Sequence, residues 1–174
     1  MAKVLGSWSG MRKYLEKEML AESLSGRVRY NCTTYIGMDD CKIFEVFLDG
    51  KVHKQFSYET VQSYFLRTGL IQPVDSKFNS PLEYWGGLWE TLKAVPMSER
   101  EEFTDGEFCM ALEEYRNGEI AFSLAAVNPI QKMFAVLDRR VGKRTLARIK
   151  EEWNSEPAWL KQVLAFRLSA EGME

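Results

Sequence analysis

The sequence has few of the residues that most often carry out chemistry in proteins. It has one histidine, His53, and three cysteines, Cys32, Cys41 and Cys109, which form no CxxC pair. A histidine-based hydrolase site would need His53 itself, yet the chain contains no GxSxG or comparable nucleophile motif. The histidine and the cysteines also lack the ligand spacing of a zinc site. We therefore predict no catalytic residue, no metal site and no cofactor.

A phosphate-binding glycine loop is also missing. Gly142-Lys143 resembles the end of a Walker A motif, but Leu137 stands where that motif has glycine. Carboxylates are abundant at Asp39-Asp40 and between Glu99 and Glu107, but acid–base chemistry needs two carboxyl groups in different environments. Solvated turn and helix acids are the simpler interpretation of both groups.

No long hydrophobic run is present. The N-terminal segment contains no apolar stretch of signal-peptide length, and no other segment approaches the roughly 20 apolar residues that span a bilayer. An odd number of cysteines fits reduced thiols. The sequence therefore predicts a cytoplasmic protein with no membrane partner.

Apolar residues are plentiful enough to build a core. They make up 45% of the 174 residues and include ten Phe, seven Tyr and five Trp. This composition predicts a single globular domain over residues 1–174. The net charge of −2 argues against general nucleic-acid binding.

A β-hairpin is the strongest local structure signal. Asp49-Gly50 separates two apolar runs, and type I′ turns favour this dipeptide because they need positive φ at both positions. Val28 to Ile36 alternates in polarity as a further strand would. A two-residue loop fixes the predicted register, which pairs Glu45 with Lys54, Phe47 with Val52 and Ile43 with Phe56. His53 would then lie opposite Val46.

Helical spacing of apolar residues accounts for most of the remaining chain. One helix is predicted from Ser9 to Glu22, and others follow Ser57, Pro81, Pro129 and Pro157. The apolar stripe of the helix that begins at Pro129 continues into a long basic helix, through Phe134, Leu137, Val141, Leu146, Ile149 and Trp153. The fold class is therefore α+β, with a small antiparallel three-stranded meander near the N-terminus packed with a predominantly helical C-terminal layer.

Charge is distributed unevenly in the second half of the chain. Residues 99–119 hold eight acids and two arginines, a net charge of −6, and residues 132–150 hold seven bases and Asp138, a net charge of +6. A local basic stripe can recruit an acidic partner even when the whole molecule is slightly acidic. The predicted partner-binding residues are those of the basic helix: Arg139, Arg140, Lys143, Arg144 and Arg148.

The same helix has a simpler interpretation. Its basic face could be solvated only, or could pair within the molecule with the acidic segment. The aromatic residues Tyr84, Trp85 and Trp89 have a similar ambiguity, because their spacing favours core packing, whereas Tyr84 or Trp89 would anchor a partner if exposed.

Two other functions remain open. A small-ligand protein or enzyme could use carboxylates such as Asp39, Asp40, Glu45 or Glu59 with Arg139 or Arg140 in a cleft between sheet and helices. A nucleic-acid-binding protein could use the basic helix, although no helix-turn-helix or RRM signature accompanies it.

The two ends of the chain resemble a family of small uncharacterised bacterial proteins. The N-terminal segment is WSGMRKYLEKEMLAESLSGRVRY from Trp8, and the C-terminal one is NPIQKMFAVLDRRVGKRTLARI from Asn128, followed by Pro157 and RLSAEG from Arg167. The resemblance implies a bacterial cytosolic protein and supplies no activity. By analogy with small, charged proteins without catalytic signatures, we expect a non-enzymatic protein that binds a protein partner, such as an immunity-type protein that neutralises a toxin.

Overall fold

The computed structural model describes residues 6–34, 42–73 and 81–174, and of residues 34 and 81–86 it describes the backbone. The fold is α+β, as predicted, with a three-stranded antiparallel sheet near the N-terminus followed by helices. The strands are β1 (Val28–Thr34), β2 (Lys42–Leu48) and β3 (Lys51–Phe56). The described helices are α1 (Trp8–Lys13), α2 (Tyr58–Arg67), α3 (Pro81–Ala94), α4 (Asp105–Asn117), α5 (Ile120–Ala125), α6 (Pro129–Leu137), α7 (Lys143–Glu152) and α8 (Ala158–Ala170).

The N-terminal helix differs from its prediction in the second half. After α1 the chain continues as one π-helical segment, Tyr14–Glu18, closed by a bond from the Met19 amide to the Tyr14 carbonyl. The predicted α-helix to Glu22 was wrong, because residues 19–21 pair with the end of α6 instead.

The hairpin turn is as predicted. Asp49 and Gly50 both have positive φ, 48° and 78°, as a type I′ turn requires. The sheet order is β1-β2-β3, so the three strands form a meander. Arg27, which precedes β1, clamps the turn with two bonds from its guanidinium to the Asp49 carboxylate, at 2.9 and 2.8 Å.

A β-bulge changes the rest of the hairpin register. Phe47 pairs with Val52 as predicted, but the next pair is Val46 with Lys54, so His53 is the extra residue in β3. The predicted pairs Glu45–Lys54 and Ile43–Phe56 are therefore wrong, and so is the place of His53 opposite Val46. A bulge arises from the packing of the whole sheet, and no residue of the hairpin predicts it from the sequence.

The bulge also decides which face of the hairpin is buried. The actual pairs beyond it are Glu45 with Gln55 and Phe44 with Phe56. Phe44 and Phe56 are buried, whereas Val52 is 51% exposed. The His53 ring, re-aimed by the bulge, has Nε2 2.8 Å from the carbonyl oxygen of Trp159 at the start of α8.

The main core lies between the sheet and two helices. Phe108 of α4 stacks on Phe44 at 4.4 Å between ring centroids and touches Phe56 at 5.0 Å and Phe134 of α6 at 5.3 Å. In α6 every residue except Lys132 is buried. This central helix therefore fixes where its two ends and its flanking loops can lie.

A second, smaller core joins α2 and α3. It consists of Val61 and Phe65 from α2 with Leu88 from α3. Trp89 is next to Leu88 but is 48% exposed, with its ring edge against Tyr58 at 5.6 Å. The predicted core packing of Trp89 is therefore only partial. The side chains of Tyr84 and Trp85 lie outside the described part of the chain.

We expect Phe108→Ala to destabilise the protein by about 3–5 kcal/mol, because it removes a fully buried ring that three other aromatic rings contact. Urea unfolding measures this loss. The matched control is Met110→Ala on the exposed side of the same helix, where the side chain is 61% exposed and the expected change is within about 0.5 kcal/mol. Equal losses in the two variants would contradict this assignment of the core.

Candidate functional site

The predicted long basic helix is interrupted. Helix α6 ends at Leu137, Asp138 is extended, and α7 begins only at Lys143. Arg139 and Arg140 therefore lie in a connecting segment and not in the basic helix to which the sequence pattern assigned them. The break is made by tertiary contacts of Asp138 rather than by a proline or glycine at that position.

Asp138 is a buried carboxylate that holds the connecting segment in place. It accepts bonds from the Arg140 backbone amide at 2.7 Å, from the Arg140 guanidinium at 2.7–3.2 Å, and from the Tyr115 hydroxyl. The hydrogen bond and charge of Asp138 raise the pKa of Arg140, and burial followed by Asp138 raises the pKa of Tyr115. Arg140 is therefore committed to an internal ion pair.

Arg167 of α8 fixes the same segment from the other side. Its guanidinium donates to the carbonyl oxygens of Val136 at 3.4 Å, Asp138 at 3.2 Å and Val141 at 2.8 Å. The residue is only 3% exposed, and desolvation lowers its pKa. Its Nε lies 3.0 Å from the Glu171 carboxylate. The Val136 carbonyl belongs to the last turn of α6 and the other two belong to the connecting segment, so the buried guanidinium links the end of the helix to that segment.

The N-terminal segment pairs with the connecting segment. The Ala21 amide donates to the Leu137 carbonyl at 3.0 Å, and the Arg139 amide donates to the Met19 carbonyl at 2.7 Å. The π-helical turn just before this pairing carries Lys17. Single π-helical turns occur often at functional sites. Two segments more than a hundred residues apart in the chain thus place Lys17 beside Arg139.

A cleft of about 920 Å³ opens at this junction. Three basic residues, Lys17, Arg139 and Lys143, line it and form what we call the basic rim. Arg167 also lines it, together with polar and acidic residues from the N-terminal segment and from α8: Glu16, Glu22, Ser23, Ser25 and Glu171.

The acids and bases of the cleft differ in whether they already have hydrogen-bond or ion-pair partners within the protein. Glu16 accepts from the Tyr30 amide at 2.8 Å, and Glu171 accepts from the Ser23 hydroxyl at 2.6 Å. By contrast, within the described ranges neither Lys17 nor Lys143 has an ion-pair partner, and Arg139 makes one side-chain bond, to the Glu18 carbonyl at 3.2 Å. Of the three acids, Glu22 alone is exposed. The charge left for a ligand is therefore positive.

The predicted binding residues are divided between two surfaces. Arg139 and Lys143 belong to the basic rim, whereas Arg140 and Arg148 line a separate groove of about 370 Å³ between α5 and α7. Arg148 pairs with Glu152 at 3.0 Å, and Arg144 is exposed on α7. Trp89 of α3 lines neither surface. None of the ion pairs among described residues joins the acidic segment 99–119 to the basic segment 132–150.

Sequence reasoning missed Lys17, Arg167, Ser23 and Glu171. For Arg167 a signal existed, because it lies among Val163, Leu164 and Leu168 on the apolar side of α8, and a charge at such a position must have internal partners. Lys17 carried no comparable signal, since nothing local distinguishes it from other exposed lysines. The cleft also differs from the predicted one, because Glu45 and Glu59 line neither surface and Asp39 and Asp40 lie outside the described residues.

The two cysteines that the structure describes, Cys32 and Cys109, give no sign of a nucleophilic site. Burial, followed by the charge of Asp105, raises the pKa of the Cys109 thiol from 9.0 to about 11, and burial also raises the pKa of Cys32. A reactive thiol needs the opposite shift. Over the ranges that the structure describes, no cluster of His, Cys, Asp and Glu could hold a metal ion, and no helix is long and apolar enough to cross a membrane.

Fold and site together define an α+β protein with a three-stranded meander, a buried central helix and a basic-rimmed cleft at the end of that helix. The chain belongs to the SF0329 protein family, whose profile matches residues 7–168. The match includes the N-terminal segment and most of the C-terminal segment that carry the resemblance described above. Comparison with curated proteins gives no match, and comparison with solved structures gives none.

Arg167→Met should destabilise the protein by about 3–5 kcal/mol, since it removes the donor to three carbonyls and leaves Glu171 without its ion pair. Arg144→Met, on the exposed face of α7, should change the free energy of unfolding by no more than about 0.5 kcal/mol. Chemical denaturation of both variants provides the comparison. A small loss for Arg167→Met would show that the connecting segment does not depend on it.

The Cys109 thiol should resist alkylation while the protein is folded. In a Cys32→Ser/Cys41→Ser background at pH 9, we expect iodoacetamide to react at least about tenfold more slowly with folded than with urea-unfolded protein, because burial suppresses the thiolate. Since the folded pKa is the higher one, this group's contribution to stability is complete below pH 9 and is lost as the pH rises through about 11. Equal alkylation rates in the two states would refute the shift.

Proposed function

We propose that the protein is a non-enzymatic binding protein whose cleft recognises an acidic segment of a partner protein. The observation that carries this proposal is the unequal use of charges around the cleft. Glu16 and Glu171 are bonded internally, whereas among the described residues Lys17 and Lys143 have no ion-pair partner and Arg139 uses one of its donors, on the Glu18 carbonyl. A partner that supplies carboxylates would neutralise the positive charges of the basic rim without displacing any internal bond.

The form of the cleft favours an extended partner over a small enclosed ligand. The residues of its basic rim are exposed, and among the described lining residues the one buried base, Arg167, already donates to three backbone carbonyls. Small-ligand sites are usually concave, mostly apolar and closed around their ligand, with a few converging polar groups. A charged rim is instead typical of surfaces that steer and orient a protein partner.

A toxin neutralised by an immunity-type protein is one partner of this kind, and the cytoplasm is the proposed setting. Small size, high charge and raised cysteine pKa values support a role without catalysis. The structure shifts the proposed recognition residues from the α7 face to the basic rim. Arg140 is left out of the direct binding set because its guanidinium pairs with the buried Asp138, and Arg148 is left out because it lines the separate α5–α7 groove.

The test uses charge reversal with a matched control. The rim variant is Lys17→Glu/Arg139→Glu/Lys143→Glu, and the control is Lys51→Glu/Arg67→Glu/Lys93→Glu, which changes the net charge equally at other elements. The probes are a fluorescein-labelled decaglutamate peptide, inorganic phosphate and a single-stranded oligonucleotide, measured at physiological salt. Affinity capture from cell extract is run in parallel with the same proteins.

We expect the peptide to bind wild type and control equally and the rim variant at least about a hundredfold more weakly, which corresponds to about 2.7 kcal/mol. A protein captured by wild type and control and lost with the rim variant would identify the partner. Tight phosphate binding that depends on the rim would favour the small-ligand alternative, and preference for the oligonucleotide would favour a nucleic-acid role. Unchanged peptide binding by a folded rim variant would refute the proposal.

A further inference from the structure

Glu16 is an acid in a cleft whose available charge is positive. It lies next to Lys17 on the π-helical turn, and both residues line the cleft. An anion at this place repels the acidic partner proposed above, so the charge of Glu16 by itself weakens binding. The side chain is only 14% exposed, however, and its carboxylate accepts from the Tyr30 backbone amide at 2.8 Å. Glu16 therefore has a structural partner in β1.

The Tyr30 amide is a donor that needs this partner. In the described sheet β1 lies at one edge, so part of its backbone has no neighbouring strand with which to pair. Tyr30 is only 3% exposed, and a buried amide without an acceptor costs free energy comparable to a lost hydrogen bond. The same Glu16 oxygen lies 3.4 Å from Arg12 Nε, but an i,i+4 ion pair with a half-exposed arginine contributes little. The bond to Tyr30 is the main contact of this carboxylate.

This bond and Arg139 hold the π-helical turn from two sides. The Glu18 carbonyl accepts from the Arg139 guanidinium at 3.2 Å, and the Met19 carbonyl accepts from the Arg139 amide at 2.7 Å. Lys17 lies between the two anchored neighbours Glu16 and Glu18. Its backbone is therefore held between the sheet and the α6–α7 connection.

We propose that Glu16 is a positioning residue for the basic rim, which holds the π-helical turn against β1 so that Lys17 lies with Arg139 in the cleft. This role rests on the proposed function, because it assigns Glu16 to the site that binds the acidic partner. Glu16 acts through Lys17 and does not contact the partner itself. A binding group whose backbone is already fixed loses less conformational entropy when a partner binds. The bond to Tyr30 thereby strengthens binding by more than the charge of Glu16 weakens it.

Two substitutions separate the bond of Glu16 from its charge. Glu16→Gln removes the charge and keeps an oxygen that can accept from the Tyr30 amide, whereas Glu16→Ala removes both. We expect the decaglutamate peptide to bind Glu16→Ala at least about tenfold more weakly than wild type, and Glu16→Gln as tightly as wild type or up to about threefold more tightly. The matched control is Glu22→Ala, which removes an exposed acid of the same cleft and should follow Glu16→Gln.

A double-mutant cycle shows whether Glu16 acts through Lys17. In a Lys17→Met background, Glu16→Ala should have no further effect on peptide affinity, because the base that it positions is gone. In a Lys143→Met background the loss of about tenfold should remain. A general loss of structure would weaken binding equally in both backgrounds, and circular dichroism confirms that each variant is folded.

Hydrogen exchange followed by NMR tests the positioning role without a ligand. Glu16→Ala should speed exchange of the Arg139 amide, which donates to the Met19 carbonyl, at least about tenfold, and Glu16→Gln should not. A wild-type protein that does not bind the peptide would refute the proposed function, whereas unchanged Arg139 exchange in Glu16→Ala would overturn the positioning role. Equal peptide affinities of Glu16→Ala and Glu16→Gln, or a loss that persists in the Lys17→Met background, would overturn it as well.

Discussion

The buried guanidinium of Arg167 is the interaction on which the site depends. It reaches three carbonyls of the α6–α7 connection from α8, and so joins the last helix to the end of the central one. A buried charge is tolerated only when its donors are used, and here they are directed to backbone oxygens in the last turn of α6 and in the connecting segment. The connection is thereby held in one conformation from which Arg139 and Lys143 reach the cleft.

Asp138 completes this arrangement by separating two neighbouring arginines. It binds the guanidinium of Arg140, whereas Arg139 lines the cleft. Arg139 and Arg140 lie in a turn, from which Arg139 lines the cleft and Arg140 lines the α5–α7 groove. A single buried carboxylate thus divides what the sequence presents as one basic stripe.

The two surfaces differ in the forces they can offer. At the cleft the available free energy is electrostatic, because Lys17 and Lys143 have no internal partner among the described residues, so binding there should weaken with salt. At the groove the available free energy is mainly hydrophobic, from its apolar wall. The two surfaces share no charged group among their described lining residues.

The sequence by itself determined the local structure of this protein: the Asp49-Gly50 turn, the meander, the buried faces of most helices and the α+β class, because turn chemistry and apolar periodicity depend on near neighbours. It also located the net positive segment. Only the tertiary structure decided the bulge at His53, the break of the basic helix at Asp138 and the approach of Lys17 to Arg139. These depend on contacts between residues far apart in the chain, and no spacing rule contains them.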